Sequence, residues 1–328
     1  MKPSSPTREP SRLIETRQCA SRVLLIRPHA FARNEAAARS NAFMHDPTDP
    51  SALIAGRALQ EFDALAGALA DAGVEVIQIE DDLHLPDSVF PNNWISYHEP
   101  VNAAPVIITY PMATPARRLE RREVIIDRVR ALTPGHVERI ALGDLESQGE
   151  FLEGTGSMVL DRVAGIAFAC RSVRTTDRAM DLWAEVTGYE MVRFDADDGH
   201  GVPVYHTNVL MSIGDRFAVV CSEAISDAAQ RSMVLARLHE LREHVVDISL
   251  TQMGGMCANI LELRSTGDEP VLAMSRTAWT SFTSGQQAVL SALARPVIAP
   301  IPTIEQVGGG SVRCMIAEIG HADPTQTP

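Results

Sequence analysis

No apolar run in this 328-residue chain approaches the roughly 18 residues that a membrane-spanning helix needs. The N-terminus is polar and proline-rich and carries no apolar h-region, which argues against a secretory signal. Positive charge is in deficit: 29 Lys and Arg stand against 42 Asp and Glu, a formal net charge of −13. That balance speaks against a nucleic acid or an anionic membrane as partner. Cysteine is sparse as well. Cys19, Cys170, Cys221, Cys257 and Cys314 are odd in number, widely spaced and form no CxxC pair. Free thiols in a reducing cytoplasm fit this pattern, and a disulfide framework or a zinc site does not. There is no P-loop, no dinucleotide fingerprint and no His/Cys/Asp cluster with metal-ligand spacing. Neither a cofactor nor a metal is therefore expected.

What is present is organised around Gly308-Gly309-Gly310-Ser311-Val312-Arg313-Cys314-Met315. Three successive glycines permit a bend that other residues avoid. The apolar run Cys314 to Ile319 that follows reads as a strand, so Cys314 stands at the mouth of a bend, exposed enough to attack a substrate. A small apolar residue opening a buried strand is the competing reading.

Residues 1–20 read as a disordered lead, 21–320 as one domain and 321–328 as a frayed tail. Within the domain a strand–strand–helix–strand unit recurs. Helices are expected near Ser51 to Asp71, Ala116 to Leu132, Thr176 to Gly188 and Ser226 to Glu243, with another opened by Thr283 and Gln286 as a capping box. Gly214-Asp215 marks a hairpin. A repeat of this size suggests a closed array. Five ββαβ units, with the last strand completing the first unit beside Val23 to Ile26, suggest a five-bladed α/β propeller with pseudo-fivefold symmetry. An ordinary mixed α/β sheet accounts for the alternation but not for the strand pairs ahead of each helix.

The starts of the units hold the chemical residues. They are Asp87, Asn92 and Asn93 in DSVFPNNW, Glu153 in FLEGTGS, His206 in YHTNVLMS and Cys257 in GGMCAN. Each has an ordinary alternative: turn formers, a solvated Glu, a structural His, a core Cys. Together they suit substitution at an acyl or amidino carbon. Cys supplies the nucleophile, aided by an electropositive neighbour such as Arg313 or by an adjacent base. His moves the proton of the leaving amine, and a buried carboxylate grips a planar amide-like or cationic end.

These motifs, in this order, resemble the guanidino-group-modifying enzymes: arginine deiminases, dimethylarginine dimethylaminohydrolases, succinylarginine dihydrolases and amidinotransferases. VLLIRPHAFARNE, FPNNW, MCANILEL and TIEQVGGGSVRCMIAEI resemble most the arginine-deiminase-related citrulline-utilisation hydrolases. The resemblance implies the five-bladed propeller, or pentein, fold. It implies Cys314 as nucleophile through a covalent intermediate, His206 as acid and base, and Glu153, Asp87, Asn92 and Asn93 as substrate-binding residues. Asn93, and Asn208 two residues after the histidine, stand where arginine deiminases carry acids. Their neutrality points toward a ureido substrate such as citrulline over arginine. The expected partner is thus a small ureido or guanidino compound, in a cytoplasmic hydrolase, with a homodimer left open. An amidinotransferase sharing the same intermediate and a non-catalytic binding propeller are the rival readings.

Overall fold

The computed structural model describes residues 13–322. Strands and helices alternate along the chain. The first strand, β1 (Arg22–Arg27), leads through a long segment to the helix Ser51–Asp71 and then to β2 (Glu75–Glu80). Next come β3 (Ile95–His98), β4 (Val106–Thr109), the helix Glu123–Arg130 and β5 (Glu138–Ala141). The pattern repeats with β6 (Val159–Asp161), β7 (Ile166–Cys170), the helix Asp177–Thr187 and β8 (Glu190–Phe194). It repeats again with β9 (Met211–Ile213), β10 (Phe217–Val220), the helix Ala228–Leu241 and β11 (His244–Asp247). The last full unit has β12 (Leu261–Arg264), β13 (Pro270–Ser275), the helix Ser284–Leu293 and β14 (Arg295–Ala299), before the two-residue β15 (Ala317–Glu318).

Among the described residues these strands form five three-stranded sheets in a mixed α/β fold. All share one pattern: the middle strand is antiparallel to one neighbour and parallel to the other. The parallel step is the one that needs a helical crossover. In the first sheet β15 pairs antiparallel with β1, Val23 opposite Glu318, so the chain's last strand closes its first sheet.

Local chemistry sets most boundaries. Ile54, Ala58, Phe62, Leu65 and Leu69 form the buried stripe of the helix Ser51–Asp71, each large one contributing about 1.5–3 kcal/mol on burial. Gly188, at φ +74°, ends the helix Asp177–Thr187 in the left-handed conformation expected of a C-terminal glycine. Thr283 and Gln286 form a complete capping box. Gly214 turns the β9–β10 hairpin, its N–H donating to Phe217 O at 2.8 Å.

Four expectations are corrected here. The segment 13–20, expected to be disordered, is packed: Leu13 is 2% exposed, Glu15 meets Arg162 at 2.6 Å and Gln18 donates to Leu160 O at 2.9 Å. Polar anchors hold it, and composition alone does not reveal those. Burial opposes ionisation of Glu15, but Arg162 and His98 outweigh it and hold the carboxyl down at about 2. His321, assigned to the frayed tail, hydrogen-bonds Glu99 at 2.6 Å and Cys19 O at 3.1 Å. The rest of that lead and tail, residues 1–12 and 323–328, lies outside the described residues. Third, the strand expected from Cys314 to Ile319 begins instead with a helical turn, Val312–Met315. The charged helix expected from Ala116 to Leu132 is likewise two pieces, a 3-10 stretch Pro115–Glu120 and the helix Glu123–Arg130. No helix among the described residues is long and apolar enough to cross a membrane.

Candidate active site

A short turn precedes the antiparallel edge strand of each sheet, and the polar residues sit in these turns. Pro91–Asn93 leads into β3, Gly154–Ser157 into β6, Thr207–Val209 into β9 and Val312–Met315 into β15. Asn259, bonded from its N–H to Met256 O at 2.9 Å, occupies the same place before β12. The turns are laced together. Thr207 Oγ1 donates to Ser157 O at 2.6 Å, and Thr155 Oγ1 donates to Asn92 O at 3.4 Å.

These turns bring Asp87, Asn93, His206 and Cys314 onto one cavity of about 20 Å³, with Arg117, Arg174 and Tyr205. That is room for about one water. The cavity is roofed by Ala37, Asn41 and Met44 from the segment after β1. The roof is fastened by Asn41 Nδ2 donating to Gly309 O at 3.3 Å and by Arg174 Nη2 donating to Ala37 O at 2.7 Å, and Tyr205 OH donates to the same Gly309 oxygen at 2.6 Å. Gly309, at φ +63°, takes the left-handed conformation that the glycine run makes available.

Glu153 lies behind His206, fully buried. His206 Nε2 donates to Glu153 Oε2 at 2.9 Å, and the other carboxylate oxygen accepts from Ala113 N–H at 3.0 Å. Burial works against the Glu153 charge, yet Arg174 at 3.5 Å, His206 and Arg117 hold the carboxyl well below the usual range. Burial pushes His206 down to about 4, against the pull of Glu153. The pair at neutral pH is thus a carboxylate and a neutral imidazole whose Nε2–H is committed. Nδ1 is then left as a base.

Asn93 is fixed from the opposite side. Arg117 Nη1 donates to Asn93 Oδ1 at 2.7 Å, while Arg117 Nε and Nη2 grip Glu120, each at 2.8 Å. Asn93 therefore presents Nδ2, a buried donor with no protein partner. Asp87 accepts from Asn34 Nδ2 at 2.8 Å on Oδ2, and its Oδ1 has no partner. Burial raises the Asp87 carboxyl above its ordinary value, with Arg117 opposing.

Cys314 is 3% exposed, so the glycine bend does not expose it as expected; the roof covers it. Arg313, the expected electropositive neighbour, turns away to Glu318 at 3.0 Å and to Ile316 O at 2.9 Å. Two carboxamides face the sulfur in its place: Asn259 Nδ2 at 3.2 Å and Asn208 Nδ2 at 3.4 Å. Asn92 is fully buried but does not line the cavity, and both polar atoms of its side chain lack partners. Cys257 lies in an apolar cluster with its thiol on Ala278 O at 3.4 Å, and burial pushes that thiol up to about 12. Among the described residues no group of His, Cys, Asp or Glu could hold a metal ion.

Sequence reasoning missed Arg117, Arg174, Tyr205 and the role of Asn259. The arginines stand in no distinctive motif. In GGMCAN the cysteine drew attention, whereas the residue facing the site is the asparagine two positions on.

Residues 27–321 match the family model described as N,N dimethylarginine dimethylhydrolase, eukaryotic. No curated protein matches the chain. Among solved structures, it resembles the arginine dihydrolase ArgZ of cyanobacteria, in its apo form, with a TM-score of 0.68 at 15% identity. That match covers 92% of this chain and 41% of ArgZ, so the chain spans about two fifths of that relative's length. The N-terminal domain of ArgZ, a cysteine-to-serine mutant bound to substrate, matches with a TM-score of 0.67 at 15% identity, over 92% of this chain and 98% of that domain. The dimethylarginine hydrolase of Pseudomonas aeruginosa, a cysteine-to-serine mutant complexed with citrulline, matches with a TM-score of 0.60 at 15% identity, over 92% and 99% of the two chains.

Proposed function

Because the chain belongs to the N,N-dimethylarginine dimethylhydrolase family of guanidino-modifying enzymes, we propose that it hydrolyses a non-peptide C–N bond of a small guanidino or ureido compound with Cys314 as nucleophile. We read the described residues 13–322 as one domain, a closed five-bladed propeller with the site on its axis. The β15–β1 closure supports this, as do the contacts of β15 with β3, β6 with β9 and β9 with β12.

The Cys314 sulfur attacks the planar carbon and a C–S bond forms. His206 Nδ1, unprotonated at rest, takes up a proton from water as the substrate settles and passes it to the departing nitrogen as the C–N bond breaks. Water then attacks the same carbon, giving its proton to His206, and the C–S bond breaks to return the thiolate. Glu153 orients the imidazole and stabilises its charged form. The cavity holds no more than about one water, so an amino-acid-sized substrate enters only when the segment from Asn34 to Met44 lifts.

We favour a citrulline-like substrate over an arginine-like one. The observation that carries this is the unpartnered pair Asn93 Nδ2 and Asp87 Oδ1, one donor and one acceptor. A ureido group offers a carbonyl oxygen and N–H groups and satisfies both, whereas a guanidinium has only donors and leaves Asn93 Nδ2 opposed to another donor. On citrulline the intermediate is a thiocarbamate on Cys314, and ammonia is the group released as it forms. Water converts it to a carbamate, which loses carbon dioxide to give the amine.

The test is the ratio of kcat/KM for citrulline, arginine and dimethylarginine in the wild type and in Asn93→Asp. The substitution keeps the oxygen that accepts from Arg117 and replaces the free donor with an acceptor. Loss of that donor costs the ureido oxygen about 1–3 kcal/mol, or roughly 5- to 150-fold in kcat/KM. A wild type that prefers arginine or dimethylarginine, or a ratio that Asn93→Asp leaves unchanged, would refute the citrulline reading.

A further inference from the structure

The arrangement around the nucleophile departs from what its sequence neighbours suggest. Arg313 faces Glu318, and His206 is committed to Glu153. Among the described residues, the sulfur's hydrogen-bond partners are the two carboxamides Asn208 and Asn259. The orientation of Asn259 is settled by three bonds. Its Oδ1 accepts from the Cys314 N–H at 3.4 Å, and its Nδ2 donates both to Asn208 O at 3.1 Å and to the sulfur at 3.2 Å. A reversed amide would set oxygen against the Asn208 carbonyl and an N–H against an N–H. The sulfur must therefore receive a donor from Asn259. Asn208 supplies the second from the turn that also carries His206. Both asparagines are buried, at 1% and 0% exposure, so water does not compete for these bonds.

We propose that Asn208 and Asn259 form a two-donor cradle that stabilises the Cys314 thiolate and aims it, so that the groups bonded directly to the nucleophile are neutral carboxamides. The inference rests on the reading of Cys314 as the nucleophile. A neutral thiol is a weak acceptor and gains little from two N–H groups, whereas an anion gains from both, and bonds to an ionised partner are roughly twice as strong as neutral ones. The S–H proton passes to water before substrate arrives, and no other bond changes. The charged and titratable groups that share the cavity are Asp87, Arg117, Arg174, Tyr205 and His206, and none of them hydrogen-bonds the sulfur. Asn259 lies in the segment just before β12, as Asn93, Glu153, His206 and Cys314 lie in or beside the turns before β3, β6, β9 and β15. All five turns then serve the reaction.

The experiment is a pH titration of thiolate ultraviolet absorbance in the full chain without substrate, taken as the difference between each protein and its Cys314→Ser counterpart. Asn208→Leu and Asn259→Leu remove a donor without adding charge, and Asn208→Asp removes one and adds an anion. The midpoint is expected to rise by about one pH unit or more in each Leu variant, which is tenfold less thiolate at a fixed pH below both midpoints. It should rise further in Asn208→Asp. Alkylation of Cys314 by iodoacetamide at neutral pH, followed by peptide mass spectrometry, should slow in the same order. Asn259 also holds the Cys314 backbone, so if its variant does not fold, the two Asn208 variants carry the test. Midpoints that agree with wild type within about 0.3 unit in folded variants would overturn the proposal. Because no substrate is present, a wrong assignment of substrate leaves this result untouched.

Discussion

Two glycines of one motif should fail in opposite ways when given a methyl group. Gly156 has no positive φ, so its backbone accepts alanine. Its added Cβ would stand 2.4 Å from Asn93 Nδ2, 2.7 Å from His206 Nδ1 and 2.9 Å from His206 Cε1. Restoring an ordinary contact of 3.4 Å requires about 1 Å of movement at Asn93 and about 0.7 Å at His206. Both neighbours are side-chain ends, so the fold survives. Neither moves freely, since Arg117 holds Asn93 and Glu153 holds the imidazole. The displaced atoms are those assigned to the substrate and to its proton. A misplacement of about 1 Å costs roughly 10²-fold in rate. Gly156→Ala should therefore lower kcat about a hundredfold while keeping the circular dichroism spectrum and a thermal midpoint near wild type. Gly154 is the contrast. It sits at φ +49°, and its added Cβ would stand 2.3 Å from the Asn92 backbone oxygen. Backbone cannot step aside there, so Gly154→Ala should lower the thermal midpoint sharply or prevent folding. The assay is steady-state ammonia release beside a thermal melt for both variants. A Gly156→Ala enzyme within threefold of wild-type kcat would refute the placement of Asn93 and His206 at the reacting centre.

Cys257→Ala should cost about 1 kcal/mol or somewhat more in chemical denaturation through lost packing, and leave kcat/KM within about twofold. Cys314→Ala should abolish turnover in a folded protein, and the reverse outcome would reassign the nucleophile. His206 gives a pH dependence with a definite sign. Its folded pKa is pushed by burial from 6.5 to about 4, so between those values the unfolded chain binds the proton first. The His206 contribution to stability is accordingly lost as pH falls from about 6.5 to 4. The thermal midpoint of wild type minus that of His206→Asn should drop across that window, and a flat difference would contradict a buried neutral imidazole.

The sequence by itself determined the repeat and most of its boundaries. The apolar stripe ending at Leu69, the glycine at 188, the capping box at Thr283 and the Gly214 hairpin are local interactions, written in residues a few positions apart. It also marked Asp87, Asn93, His206 and Cys314, because each stands in a short polar turn before an apolar strand. Tertiary structure decided what those residues face. Gly308 to Gly310 imply exposure until the segment from Asn34 to Met44 folds over them. Arg313 is adjacent to Cys314 in sequence, but the helical turn sends the two side chains apart. Asn259 lies 55 residues before Cys314 and donates to its sulfur. Partners of that kind are set by the convergence of separate turns, and such long-range geometry leaves no local pattern to read.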